Sequence, residues 1–595
     1  MEAFAIECDS CDDVHARQDA LSRVLRDTHI QNLAVYKKLL ACEQQPAPAI
    51  NGRVPFWDVV VVTAGDTQQR LVYERRIDQK LDTGAIPQQA KYHVIEDPPS
   101  SKIGSGGSTF LAMKVLSEIY PQEILRKARI LLIHAGGYST RLPHVSARGK
   151  VFTTLPQADS HDGIQVLDLK LVLYLHLLRT MPPGVFLTSA DGIELFASKS
   201  PFPCEPKPLT ITALAHPSSL HIGRTHGVYM LEDPSGLIAV DRQLVPAEQS
   251  ALLLKCGKFL HKPSLDMMQS TPNVVYPSST KQMADEVYTD SCYYFDPETV
   301  SVMARTYRML PRECDLEAWA DILNLQDSSL PTYTSNSNTD PHLEGRQIVQ
   351  QALQESGVSL EVMVLNASKF YHLGTMEEFV AGVCTDSAFM SELNISNDFV
   401  GIARVESLPF AETISKDGGG CGAINPPVYI ENSSVSSAAF VDPSCIIVDC
   451  DLPAGAFIPT NTCMFTLQLQ EHEFTTFTFS VLDEMKKEAT VSADAGPDEV
   501  LRELEIFGCV PVSEIVGLPV GTYPPGCTGS LSLWTAPVFE ITQTKEESVK
   551  LALDRLHRIR SYLASGTRGG DDSSPSVTGW TSLKVAARRA REYQK

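Results

Sequence analysis

Residues 130–150 gather two glycines, a serine, an arginine and a lysine at a spacing that suits polyphosphate chemistry. The run Ile130-Leu131-Leu132-Ile133-His134-Ala135-Gly136-Gly137-Tyr138-Ser139-Thr140-Arg141-Leu142-Pro143 is followed by Gly149-Lys150. The aliphatic start reads as a buried strand of a parallel sheet. Gly136 and Gly137 lack a Cβ, so the backbone there can turn sharply and approach a ligand. Successive N–H groups in such a turn can form a concave anion site, to which Ser139 adds a hydroxyl. Arg141 can grip phosphate oxygens through two parallel hydrogen bonds. Pro143 discourages an immediate helix, which leaves Lys150 on a loop able to reach over a bound nucleotide. This layout suits the wrapping of a triphosphate and activation of its innermost phosphorus, with loss of pyrophosphate. A glycine turn beside a surface arginine is the structural alternative.

The body that must position these groups is large and acidic. The chain has 595 residues, 43% of them hydrophobic, enough for extensive cores, and a formal charge of −22. That charge argues against nucleic acid or an anionic membrane as partner, so any phosphate site is a local basic pocket. No apolar run approaches the length that spans a bilayer. The start, Met1-Glu2-Ala3-Phe4, lacks the basic and apolar regions of a secretory signal. The 14 cysteines show no framework, which fits reduced thiols and a cytoplasmic location. Cys8 and Cys11 form one CxxC with no second pair, weak grounds for zinc.

Strand and helix patterns alternate from residue 57. Trp57–Ala64, Tyr92–Glu96, Ile130–Ile133 and Val185–Ser189 read as strands. Leu71–Leu81, Phe110–Ile119 and Asp168–Arg179 read as helices between them. The order predicts a mainly parallel sheet covered on both faces, with ligands beyond the carboxyl ends of its strands. After about residue 400 aliphatics recur every six positions at Val435, Val441 and Ile447, the pattern of a short parallel β-helix. An ordinary β-rich domain is the alternative. The domain reading is a helical arm over 1–50, a catalytic domain over 51–400, a β-helix-like domain over 401–545 and a helical and polar tail over 546–595. Asp571–Val577 reads as polar tail and Lys584–Lys595 as a solvated basic helix.

The Gly136-Gly137-x-Ser139-x-Arg141-Leu142-Pro143 … Lys150 stretch resembles the signature of sugar-phosphate nucleotidyltransferases. Longer stretches resemble the fucose-1-phosphate guanylyltransferase (GDP-L-fucose pyrophosphorylase) family in particular. They include Lys102-Ile103-Gly104-Ser105-Gly106-Gly107-Ser108-Thr109, Ala213-Leu214-Ala215-His216-Pro217-Ser218-Ser219-Leu220, Phe259-Leu260-His261-Lys262-Pro263-Ser264, Lys369-Phe370-Tyr371-His372-Leu373-Gly374-Thr375 and Ser532-Leu533-Trp534-Thr535-Ala536. The resemblance implies a Rossmann-like α/β nucleotidyltransferase domain and, behind it, a left-handed β-helix. It implies GTP and β-L-fucose 1-phosphate as substrates, GDP-β-L-fucose and pyrophosphate as products, and Mg2+ as cofactor. Some relatives fuse this unit to a sugar kinase; the chain shows no kinase loop, so the transferase alone is expected.

The resemblance also assigns residues. Lys150 matches the lysine that holds the α-phosphate and Arg141 the arginine that holds the departing pyrophosphate. Asp191 stands where the superfamily places a magnesium carboxylate; a helix N-cap before Ile193 is its competing role. Lys262, in His261-Lys262-Pro263, matches a Glu-Lys-Pro lysine that holds the sugar's phosphate, although a histidine replaces the glutamate. Asp290 falls where relatives contact the sugar. His372 stands where relatives have a second metal-binding aspartate, and imidazole suits magnesium poorly. It therefore serves phosphate or sugar, or is a plain core histidine. His226, with Thr225, is a candidate for the sugar side, with a satisfied core histidine as the alternative.

Gly104, Gly106 and Gly107 read as a glycine turn between strand and helix. They would form a second wall of the nucleotide pocket, or simply permit close helix–sheet packing. As a dinucleotide fingerprint the run is incomplete, because Thr109 occupies the third glycine position, so a nicotinamide enzyme is disfavoured. A catalytically silent nucleotide-binding regulatory subunit is the other function class that fits the same fold. The hexad region carries no catalytic cluster and is expected to serve docking or homo-oligomer assembly.

Overall fold

The computed structural model describes residues 11–43, 55–99, 102–157, 160–197, 202, 207–235, 237, 251–276, 285–311, 314–316, 323, 342–395, 403–405, 423–424, 427–489, 496–515, 526, 530–565 and 579–594. Cys8, the Gln44–Pro48 end of the N-terminal arm and the polar run 571–577 lie outside these. The chain divides into two compact units. The first comprises 1–137 and 167–371, the second 138–166 and 372–595. The units therefore do not follow a single cut near residue 400. The stretch after the glycine pair is counted with the C-terminal residues.

A nine-stranded sheet dominates the first unit. Its strands in chain order are β1 (Val59–Ala64), β2 (Lys91–Glu96), β3 (Arg129–His134), β4 (Gly184–Ser189), β5 (Thr210–Ser219), β6 (Gly227–Leu231), β7 (Ala251–His261), β8 (Glu286–Phe295) and β9 (Ser359–Leu365). In space they run β2-β1-β3-β4-β8-β5-β9-β7-β6. Neighbours β2, β1, β3 and β4 are parallel, as are β5 and β9, while β8 and β7 run against their neighbours. The architecture is mixed α/β with a mainly parallel sheet. Val59–Val62 and Ile130–Ile133 are buried on both faces, which is why they read as unbroken aliphatic runs rather than alternating ones.

Helices α1 (Cys11–Glu43), α2 (Thr67–Asp82), α3 (Gly104–Ile119) and α4 (Pro297–Tyr307) belong to this unit. Asp66 caps α2 by accepting from the Gln69 amide at 2.7 Å. Helix α3 starts earlier than its apolar pattern suggests. The glycine run is not a turn ahead of the helix but its opening turns. Gly104 has φ +66°, and an added Cβ would lie 2.2 Å from the Leu316 carbonyl oxygen. The Gly106 amide donates to that same oxygen at 3.1 Å. The segment predicted as one helix over 168–179 splits into a helix over Val166–Leu173 and a single 3-10 turn over Leu177–Arg179.

Among the described residues the second unit holds three small sheets built on short parallel pairings. Tyr429–Glu431 pairs with Ile446–Val448, which pairs with Thr462–Gln470. Phe440–Val441 pairs with Phe457–Ile458, and Ser433–Val435 with Asp451–Leu452. Partners such as Phe440 and Phe457 are 17 residues apart, the separation of the Cys450–Ser433 hydrogen bond. Val435, Val441, Ile447, Leu452, Ile458 and Met464 are all buried. The basic C-terminal segment forms a helix, Leu583–Tyr593. It is not simply a solvated face, because Leu583, Ala586, Ala587, Ala590 and Arg591 are buried. Among the described residues no helix is long and apolar enough to cross a membrane.

Replacing Gly104 with alanine forces a side chain onto a backbone oxygen at a left-handed φ. We expect a loss of about 1–3 kcal/mol in denaturant unfolding, the usual range for overpacking.

Candidate active site

In the first unit the glycine pair follows β3 at the carboxyl edge of the sheet. Its shape is set by Gln69 on α2, which is 1% exposed. Gln69 Oε1 accepts from the amides of Gly65 at 2.7 Å and Gly137 at 3.1 Å, and its Nε2 donates to the Gly137 carbonyl at 2.8 Å. The Gly136 amide lies 3.3 Å from Thr63 Oγ1. Both glycine amides thus face protein acceptors, which corrects the expectation that they are presented to phosphate. What the glycines allow is close approach. A Cβ on Gly136 would lie 3.1 Å from the Gly65 nitrogen. The Asp66-x-x-Gln69 spacing is a helix-start pattern legible in sequence, but the clamp that Gln69 makes on a loop 68 residues away is not.

Asp191 follows β4 in a tight turn, where the Gly192 amide donates to Ser189 Oγ at 3.0 Å. The next element is a strand, Gly192–Phe196, so the competing N-cap role falls away. That strand is pinned by a fully buried pair, Lys170 Nζ to Glu194 Oε2 at 2.6 Å, with Tyr174 and Thr188 bonded to the same lysine. Burial alone would raise Glu194, but Lys170 and then Tyr174 outweigh it and hold the carboxyl below its usual range. Beneath the turn His134 bonds Thr109 Oγ1 at 2.9 Å. Desolvation pushes its imidazole down to about 4, against the opposing pull of Asp191.

The proposed sugar-side residues are also in this unit. Lys262 is exposed with φ +47°, a conformation rare outside glycine, and its amide donates to the His226 carbonyl at 3.0 Å. Asp290 accepts from the Gly227 amide at 2.7 Å and from Tyr293 OH at 2.9 Å, so much of its carboxylate already orders the sheet. His226 is half-buried, edge-on to Phe370, with Nδ1 2.9 Å from Thr225 Oγ1. Gly104, Gly106 and Gly107 open α3, where the Gly106 amide is taken by Leu316 and the Gly107 amide by Ile103. Their place in the fold is close packing, and those two amides are not offered to an anion.

Asp97 sits just past β2 beside this helix start and accepts from Ser108 Oγ at 2.5 Å. Burial pushes its carboxyl up to about 6; Ser108 pulls the other way, and Asp315 and Asp66 add to the rise.

The second unit carries Ser139, Arg141, Lys150 and His372. Ser139 has φ +54°, and its buried hydroxyl has no protein hydrogen-bond partner. Pro143–Val145 and Lys150–Phe152 are single 3-10 turns, and no longer helix forms in this stretch. Arg141 is exposed and lines a cavity of about 290 Å³ with Thr375, Glu377, Asp483, Lys486 and Lys487. Glu484 lines it too, so three cations share the cavity with three carboxylates. Between Arg141 and Lys150, Arg148 pairs with Glu431 at 2.5 Å and Asp449 at 3.3 Å. His372 Nδ1 lies 2.9 Å from Glu378 Oε2, and that oxygen also accepts from the Gly374 and Thr375 amides. Of the roles foreseen for His372, this geometry supplies a structural one, at the capping box of the helix Met376–Val380.

A parallel sheet whose strand ends carry a glycine turn, followed in sequence by an arginine and a lysine on an irregular loop, is the arrangement of a nucleotidyltransferase. A family model described as the fucose pyrophosphorylase domain matches residues 122–544, and the chain belongs to that family. It is 33% identical over 543 residues to human fucose-1-phosphate guanylyltransferase, covering 86% of each chain. Against the mouse protein of that name it is 32% identical over 541 residues, 85% of this chain and 87% of the other. It is 28% identical over 216 residues to a bifunctional fucokinase/GDP-fucose pyrophosphorylase of Arabidopsis thaliana, 31% of this chain and 20% of that one.

Two predictions follow from the first unit's geometry. Gln69→Leu leaves two half-buried amides without their acceptor and is expected to cost about 1–3 kcal/mol in denaturant unfolding. The raised Asp97 carboxyl contributes stability that is complete at low pH and lost as pH rises through about 6. Asp97→Asn should therefore flatten the fall in melting temperature between roughly pH 4 and 6 relative to the unmodified protein.

Proposed function

We infer that the chain transfers GMP from GTP to β-L-fucose 1-phosphate, giving GDP-β-L-fucose and pyrophosphate. The observation that carries this reading is the family match across most of the chain, a range that spans the Gly136–Lys150 stretch. A phosphate oxygen of the sugar phosphate attacks the α-phosphorus, and the bond to the bridging oxygen breaks to release pyrophosphate. The nucleophile's second pKa is about 6, so it is already ionised near neutrality and needs no general base. Catalysis then reduces to aligning two polyanions and stabilising the charge that moves onto the leaving group.

Lys150 holds the α-phosphate, and Arg141 receives the leaving pyrophosphate. Ser139 offers its hydroxyl. The glycines at 104–107 contribute a wall rather than amide donors. Lys262 holds the sugar's phosphate, with His226 and Asp290 on the sugar side. His372 acts through Glu378 by shaping the turn before Met376.

Asp191 is the carboxylate that fits magnesium. Among the described residues no group of three or more His, Cys, Asp or Glu side chains is placed to hold a metal. One hard oxygen ligand suits an ion that keeps its waters and is held mainly by substrate phosphates. Such an ion supplies charge neutralisation across the phosphates.

The short parallel pairings at a 17-residue separation, with their buried aliphatics, support a short left-handed parallel β-helix. We assign it to assembly of copies of the chain. The nine cysteines whose side chains are described form no disulfide, in keeping with a cytoplasmic setting.

A coupled pyrophosphate assay across four nucleoside triphosphates and a panel of sugar 1-phosphates tests the reading. Turnover is expected with GTP and fucose 1-phosphate and not with the other pairs at comparable efficiency. Lys150→Ala and Asp191→Ala should each lower kcat by about 10²–10³ or more, and chelation of divalent cations should abolish turnover. Undiminished pyrophosphate release in either variant would overturn the assignment of that residue.

A further inference from the structure

The stretch 138–150 has little regular structure of its own, so something else must fix where its cations point. Several of its buried polar atoms have no protein partner: Ser139 Oγ, both ring nitrogens of His144 and Ser146 Oγ. The His144 ring packs against both Phe379 and Tyr429, and burial drives it down to about 3, with Arg148 adding to the fall. A segment that leaves so much of its own polarity unmatched is held from outside.

The holding groups come from far along the chain. The Met376 amide donates to the Arg141 carbonyl at 3.1 Å. Arg148 is caught by Glu431 and Asp449, on the short parallel strands and the turn that follows. The longest reach is made by Arg591 on the C-terminal helix, 445 residues away. Its Nε and Nη2 donate to the Ser146 carbonyl at 3.1 and 2.6 Å. The same guanidinium lies 4.5 Å from the Tyr138 ring centroid, and Tyr138 in turn meets Trp534 edge-on. Arg591 is 1% exposed. A cation this deep in a protein is costly unless its partners are good, and here they grip both ends of the loop segment that contains Arg141.

We propose that Arg591 is a positioning residue for nucleotide transfer: by holding Ser146 and Tyr138 it fixes the loop from which Arg141 and Lys150 meet the triphosphate. This rests on the reading of those two residues as phosphate ligands. The C-terminal helix is then part of the catalytic apparatus, although it holds none of the groups that meet substrate. A misplacement of about 1 Å at such a contact can cost on the order of 100-fold in rate.

The test is steady-state kinetics on the full chain carrying Arg591→Ala, Arg591→Lys or Lys150→Ala, with Arg588→Ala as an exposed neighbour on the same helix. Arg591→Ala is expected to lower kcat/KM for GTP by roughly 10–100-fold while KM for fucose 1-phosphate stays within about twofold. Millimolar guanidinium should restore part of the loss in Arg591→Ala and none in Lys150→Ala. Arg591→Lys keeps the charge but loses the paired donors and should fall between. Arg588→Ala should match the unmodified protein.

Unchanged GTP kinetics in a folded Arg591→Ala protein would overturn the proposal. So would an equal loss for both substrates without guanidinium rescue, which marks a merely structural arginine. If Arg591→Ala does not fold, Arg591→Lys decides, and unaltered GTP parameters there count against the proposal. If Lys150→Ala keeps full turnover, the reading of the loop itself fails, whatever the Arg591 variants do.

Discussion

Electrostatic repulsion between a nucleoside triphosphate and a sugar phosphate is the constraint to which the rest of the molecule answers. The protein carries a formal charge of −22, so it repels both substrates at long range. Positive charge must therefore be concentrated and aimed. Arg141, Lys150 and Lys262 are the cations proposed for that task; Arg141 and Lys262 lie outside regular elements, and Lys150 opens a single 3-10 turn. Lys262 itself, and Ser139 two residues before Arg141, hold left-handed backbone angles that non-glycine residues seldom adopt. Such conformations persist only where neighbouring structure overrides the local preference.

The α/β sheet answers the constraint with rigidity. β1, β3 and β4 are buried on both faces, and the turns at their carboxyl ends are tied down. Gln69 ties the glycine turns after β1 and β3 together with one amide side chain. The Lys170–Glu194 pair anchors the strand that leaves Asp191. The second unit answers differently. Its loop from 138 to 150 is held by side chains from the short parallel strands and from the last helix, so regions remote in sequence govern where two cations sit.

Much of the first unit was legible in the amino-acid sequence because fully buried parallel strands leave a local trace. Val59–Val62 and Ile130–Ile133 are continuous aliphatic runs, and the six-residue recurrence at Val435, Val441 and Ile447 marks residues that all prove buried. Long-range polar contacts leave no such trace. Arg591 lies in a run of basic residues that reads as solvated, and only folding shows that it is buried against Tyr138. The glycines at 104–107 misled for a related reason. A glycine run at a helix start signals close approach, but not whether a ligand or another segment of the chain, here Leu316, does the approaching.

The most direct measurement of the central claim is a crystal structure of the chain soaked with a non-hydrolysable GTP analogue and magnesium. The account predicts phosphate oxygens within hydrogen-bond distance of the Arg141 guanidinium and Lys150 Nζ, with the metal on Asp191. Nucleotide density that touches none of these three side chains would contradict it.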